Sequence, residues 1–133
     1  MVNPSASTVP TCGLLLCDDL IFTSRITGTA RSLGLSIRSA SALSTFQGLA
    51  RSQTPSCVIV DLAHPGLVIA DLMAWLTEHC QPSPRVVAYG SHVDAETLHR
   101  ARAAGCDPVL PRSKFVEELP GKLGEWLKPL LPA

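Results

Sequence analysis

Only two acidic residues precede position 61 in this 133-residue chain, and they are adjacent: Asp18 and Asp19. The third acid is Asp61. The pair follows the apolar run Leu14–Cys17, and Asp61 follows Cys57–Val60, so all three stand where short buried strands would end. In open sheets of parallel strands, ligands bind at the carboxyl ends of the strands. Three carboxylates gathered there form a hard-oxygen site suited to Mg²⁺, and without a cation their mutual repulsion would raise at least one pKa. Taken singly, Asp18 or Asp19 reads as an N-cap of the helix that follows rather than a ligand; their placement together with Asp61 reverses that balance. Other chemistry finds little support. His79, Cys80, His92 and His99 lack paired zinc-ligand spacing. There is neither a G-x-G-x-x-G nor a G-x-x-x-x-G-K-[ST] phosphate loop, and acids stand where a flavin phosphate would need such a loop.

The elements that must hold these acids follow from hydrophobic periodicity. After the first strand, Phe22, Ile26, Ala30 and Leu33 mark a helix that stops at Gly34. Leu35–Arg38 alternates as a half-exposed strand, and Leu43, Phe46, Leu49 and Ala50 mark a second helix before Pro55. Cys57–Leu62 is the most strand-like run, followed by the helical stripe Ile69, Leu72, Met73 and Leu76. Beyond Pro82 and Pro84, Val86–Tyr89 reads as a fourth strand. Asp94 caps a helix carrying Leu98, Ala101 and Ala104 that ends at Gly105. Val109–Leu110 is a fifth strand. The last helix presents Val116, Leu119, Leu123 and Leu127, and Pro120 either starts or kinks it. Trp75 and Trp126 fall near these stripes, as core or partner-facing residues. Strands alternating with helices predict an α/β fold with a five-stranded parallel sheet covered on both faces. Residues 1–12, rich in Pro, Ser and Thr, read as a flexible tail, and 13–130 as a single domain.

Composition narrows the function classes. Eleven basic and eleven acidic residues cancel, which argues against electrostatic binding to nucleic acid or an anionic membrane. No apolar run is long enough to span a bilayer, and the N-terminus lacks the pattern of a secretion signal. Five cysteines without a C-x-x-C pair read as small buried hydrophobes in a reducing compartment, so a cytoplasmic location is expected.

The chain resembles the receiver domain of two-component response regulators over residues 13–127. The resemblance rests on LLLCDD (Leu14–Asp19), VIVDLAHPG (Val58–Gly66), AAGCD (Ala103–Asp107) and VLPRSKF (Val109–Phe115). It implies a doubly wound flavodoxin-like topology with sheet order 2-1-3-4-5. It also implies that Asp61 is the phosphoacceptor, that Asp18 and Asp19 bind Mg²⁺, and that the Ala63 backbone carbonyl is a further ligand. The match is to an atypical member. Receivers carry a Thr or Ser at the end of strand 4, where this chain has Tyr89 or Gly90, with Ser91 as a nearby hydroxyl. They carry a Lys before a cis-proline after strand 5, where this chain has Arg112-Ser113. Arg112 keeps the charge on a longer, planar group, and Lys114 would begin the next helix. His64 stands where an apolar residue is usual, as a loop histidine or a neighbour of phosphate or metal.

The resemblance implies a stand-alone receiver-like domain that acts in phosphorelay signalling through protein contacts and is not an enzyme. Its partners would be a kinase, a phosphotransfer protein or an effector. A homodimer or a heterologous contact is expected through the face of helix 4, strand 5 and helix 5, which would carry His99, Arg102, Pro111, Arg112 and the Trp126 region. The alternative is a pseudo-receiver that is never phosphorylated. A remote alternative is a small metal-dependent phosphate-handling enzyme, although Asp61 is followed by Leu62-Ala63 rather than by a second acid.

Overall fold

Five short strands and five helices alternate along residues 12–128, the part of the chain described by this computed structural model. They are β1 (Gly13–Leu16), α1 (Leu20–Ser32), β2 (Ile37–Ala40), α2 (Leu43–Gln53), β3 (Cys57–Asp61), α3 (Ile69–His79), β4 (Arg85–Gly90), α4 (Ala95–Ala103), β5 (Val109–Pro111) and α5 (Arg112–Trp126). All strand pairs are parallel, in the expected order β2-β1-β3-β4-β5. This order sets β1 beside β3 at the centre, with Leu16 opposite Val60, so the residues ending the two strands are neighbours.

Side chains alternate across the pleat, and both faces are covered. Leu14, Leu16, Val58, Val60 and Ala88 join Phe46, Leu72, Leu76 and Leu98 from α2, α3 and α4. Leu15, Cys17, Ile59, Val87 and Tyr89 join Ile26 of α1 and Phe115, Leu119, Leu123 and Trp126 of α5. Four of the cysteines (Cys17, Cys57, Cys80 and Cys106) are buried thiols. Burial raises the Cys57 pKa to about 12 and that of Cys106 to about 11, so both stay protonated as small core groups. Among the described residues, no helix is long and apolar enough to cross a membrane.

The structure refines the sequence reading in five places. Leu33 is not on the buried stripe: α1 ends at Ser32, and Leu33 is 46% exposed at the cap. Gly34 takes φ +72°, with Gly34 N donating to Arg31 O and Leu35 N to Ala30 O, the paired bonds of a glycine-terminated helix. That turn uses residues 34 and 35, so the second strand runs Ile37–Ala40 rather than Leu35–Arg38. Pro120 does not start α5, which begins at Arg112 and holds Pro120 in its interior. Trp126 is 4% exposed in the core, which removes it from the expected contact face. Cys12 belongs to the fold rather than to the tail, because its carbonyl accepts from Ser56 N at 2.9 Å. The rest of that tail lies outside the described residues.

Phe115 is fully buried between Tyr89 and Trp126, with ring centroids 4.5 and 5.8 Å away. Removing such a ring costs the transfer free energy and leaves a cavity, about 3–5 kcal/mol for Phe→Ala. Urea unfolding of Phe115→Ala should show a loss of that size. Leu33→Ala, at the exposed cap, should cost no more than about 0.5 kcal/mol.

Candidate functional site at the carboxyl edge of the sheet

Asp61 ends β3 and is 5% exposed. Its Oδ1 accepts from Ala63 N at 2.9 Å, two residues on in the β3–α3 turn. The Arg112 guanidinium, on the first residue of α5, approaches the same oxygen at 4.0 Å. Oδ2 faces the Cys17 thiol at 3.7 Å. A buried carboxylate is retained only with partners of this kind, and here they come from the segment just after β1, its own turn and α5.

The acid pair is exposed at the mouth of the same edge. Asp19 Oδ1 accepts from Ile21 N at 2.9 Å and Phe22 N at 3.1 Å, so Asp19 is the N-cap of α1. It is also part of the site, because Asp18, Asp19, Asp61, Ala63, His64, Pro65 and Arg112 line one open cleft of about 340 Å³. The donor chemistry suits a hard cation, which takes oxygen ligands. Among the described residues, however, no three acidic, His or Cys side chains stand close enough to enclose a metal. The three carboxylates thus share one cleft without gathering into the enclosed cation site that their sequence positions suggested.

The positions that depart from the receiver pattern are now placed. Register sets Tyr89 directly opposite Asp61, while a Cβ on Gly90 would meet Leu62 and Leu98 on the other face of the sheet. Tyr89 is the residue beside Asp61, but its hydroxyl turns to Cys17 Sγ at 3.2 Å. Burial first, then the bond to Cys17 and the nearby Asp61 carboxylate, raise the Tyr89 pKa, so the ring keeps its proton. Ser91 does not reach the acid cleft. It lines a neighbouring hollow of about 550 Å³ with Phe22, His92, Arg112, Ser113 and Val116, and its Oγ accepts from Val93 N at 3.3 Å. Arg112 borders both hollows and lies over the Phe22 ring at 5.5 Å. Arg112–Ser113 is not among the cis peptide bonds, which are Gln81–Pro82 and Asp107–Pro108. Lys114 turns away to Glu117 and Glu118, at 3.1 and 3.6 Å, and their carboxylates raise its pKa. His64 is a half-buried loop residue at the cleft wall. Its ring nitrogens face Ser41 O at 2.7 Å and Pro65 O at 3.1 Å, which joins the β3–α3 loop to the β2–α2 loop.

Cys17 and Phe22 are the site residues that sequence reasoning missed. Both read as ordinary apolar positions. The one available signal was the place of Cys17 between the last residue of β1 and the acid pair.

No family model matches the sequence, and no curated protein matches it either. Solved structures do. A receiver domain of a response regulator from Bermanella marisrubri covers 90% of this chain and 99% of its own, at 18% identity and a TM-score of 0.76. A response regulator receiver protein from Burkholderia phymatum covers 93% of this chain and 99% of its own, at 22% identity and a TM-score of 0.73. A beryllofluoride-activated NtrC4 receiver domain dimer covers 87% of this chain and 98% of its own, at 16% identity and a TM-score of 0.71. The acid cleft, the strand order and these likenesses agree: the chain has the flavodoxin-like fold of response regulator receiver domains.

Proposed function

We propose that this chain is an atypical receiver module that works in phosphorelay signalling through protein contacts, with Asp61 as its phosphoacceptor. The observation that carries the reading is the single cleft at the carboxyl edge of the sheet, where Asp61, the acid pair and Arg112 meet. In this reading an ionised Asp61 oxygen attacks the phosphorus of an acyl or histidyl phosphate. A new O–P bond forms as the donor's bond to phosphorus breaks, and the donor leaves with that electron pair. The transferred group carries its charge on oxygens, so catalysis is mainly positioning and neutralisation. Asp18, Asp19 and the Ala63 carbonyl would hold Mg²⁺, which supplies charge neutralisation when bound. Arg112, already 4.0 Å from Oδ1, supplies the fixed positive charge that a lysine gives in other receivers. Its side chain is 39% exposed, so it can follow the incoming group.

Protein partners are supported by the apolar rim of the site. Leu20 and Ile21, on the first turn of α1 beside Asp19, are 80% and 75% exposed. A phosphodonor protein that presents its group to Asp61 would cover them. A second contact face, of α4, β5 and α5, carries exposed His99 and Arg102 with half-buried Pro111 and Arg112, and would serve a homodimer or an effector.

The pseudo-receiver reading keeps one specific observation in its favour: the strand-4 hydroxyl is absent, and Tyr89 spends its O–H on Cys17. A ligand shifts a two-state equilibrium only through its differential affinity for the states. Without that hydroxyl, the ordinary route from Asp61 through β4 to α4 and β5 should respond weakly. Amide spectra with beryllofluoride and Mg²⁺ test both readings. Shifts should appear at Asp61, Ala63, Asp19 and Arg112, disappear in Asp61→Asn, and stay small along α4. No response at Asp61 would favour the pseudo-receiver, and large shifts through α4 and β5 would show an ordinary switch.

Three variants test the charge assignments by initial rate with acetyl phosphate. Arg112→Ala should lower the rate about tenfold or more, the scale of a lost electrostatic contact of about 1.4 kcal/mol, and Arg112→Lys should recover most of it. Asp19→Asn should weaken Mg²⁺ binding, followed as the concentration needed for half-maximal phosphorylation. An unchanged Mg²⁺ dependence would move the metal away from the acid pair.

A further inference from the structure

Beneath the acid cleft lies a buried chain of contacts that ordinary receiver chemistry does not require. Cys17 is 2% exposed, and its sulfur accepts from Tyr89 Oη at 3.2 Å and from Asp19 N at 3.4 Å. Its single S–H faces two acceptors, Asp61 Oδ2 at 3.7 Å and the Asp19 carbonyl at 3.4 Å. One proton cannot serve both. An ionised Oδ2 favours the bond to Asp61, whereas an Asp61 whose charge has been altered or esterified leaves the Asp19 carbonyl as the better acceptor. The thiol thus has two acceptors in reach, and only one of them depends on the state of Asp61.

The far end of the chain is equally well defined. Tyr89 is fully buried, and its ring stacks on Phe115 at 4.5 Å and on Phe22 at 5.3 Å. Phe115 stacks on Trp126 at 5.8 Å. Phe22 lies under Arg112, which returns to Asp61. Asp61, Cys17, Tyr89, Phe22 and Arg112 therefore close a loop, from which Phe115 leads to the end of α5.

We propose that Cys17 is a positioning residue which reports the charge state of Asp61 to the Tyr89 hydroxyl, and through the stacked rings to α5. The hydroxyl that receivers place on strand 4 is thus replaced by a thiol just past the end of strand 1 and a phenol on strand 4, which act in series beneath the carboxylate. Their output runs along the α1–α5 side of the sheet rather than through α4. Its use in signalling rests on Asp61 being the acceptor; the coupling itself does not.

Tyr89 is the chain's only tyrosine, so tyrosine labelled with ¹³C at Cζ gives a single resonance that reports its hydroxyl. Asp61→Asn should displace that resonance in the otherwise unaltered protein. Cys17→Ala should cut the displacement by more than half, and Cys17→Ser, which keeps a donor and an acceptor, should restore it. If Cys17→Ala fails to fold, Cys17→Val fills the space without a polar atom and serves in its place. A displacement of equal size without a polar atom at position 17, or none in the parent protein, would overturn the proposal. Beryllofluoride with Mg²⁺ forms a separate arm. A silent beryllofluoride arm beside a Cys17-dependent Asp61→Asn displacement would sustain the coupling and remove the acceptor reading.

Discussion

Asp61 is the one buried polar or charged residue among the described residues, at 5% exposure. Burying a carboxylate costs several kcal/mol unless hydrogen bonds and opposite charge compensate. Much of the surrounding structure can be read as that compensation. The β3–α3 turn aims Ala63 N at Oδ1, α5 starts at Arg112 so that its guanidinium reaches the same oxygen, and β1 delivers Cys17 to Oδ2. Strand order does the rest. With β1 and β3 adjacent at the centre, the acid pair and Asp61 reach one cleft without either chain having to bend.

A carboxylate held this way is suited to an occasional change of covalent state. Its partners are individually modest. One contact is a 4.0 Å ion pair to a partly exposed arginine, another a thiol hydrogen bond, and the strongest is a single backbone amide. The carboxylate nevertheless lines the open acid cleft. The nearby strand-4 residue contributes bulk and a hydrogen bond directed away from the carboxylate, so the acceptor chemistry and its readout are separable. In the proposed reading the acid cleft takes the phosphoryl group, and the aromatic stack behind it carries the readout.

The strand and helix order was legible because each element carries its own period, from Leu14–Cys17 through the Leu119 and Leu123 stripe. The acid pair and Asp61 were legible as a group because charge at the ends of apolar runs is conspicuous. What escaped detection depends on partners distant in sequence. Cys17 looks like any core cysteine until register sets it between Asp61 and Tyr89, residues 44 and 72 positions away. The second strand was misplaced because Gly34 extends the end of α1 into a turn whose cost in residues the periodicity does not reveal. Trp126 looked as suited to a partner as to the core, and only the packing of α5 against the sheet, with Trp126 stacked on Phe115 of the same helix, decides it. Ser91 carried the expected hydroxyl, but one residue beyond Gly90 the chain has already turned toward a different hollow.

The central claim is that Asp61 is a chemical acceptor, and intact-mass spectrometry after incubation with acetyl phosphate and Mg²⁺ tests it most directly. The account predicts the addition of one phosphoryl group. The addition should disappear with Asp61→Asn and with removal of Mg²⁺, and persist in Tyr89→Phe, because Tyr89 serves the readout rather than the transfer. An unchanged mass in the unaltered protein, or an adduct that survives Asp61→Asn, would contradict it.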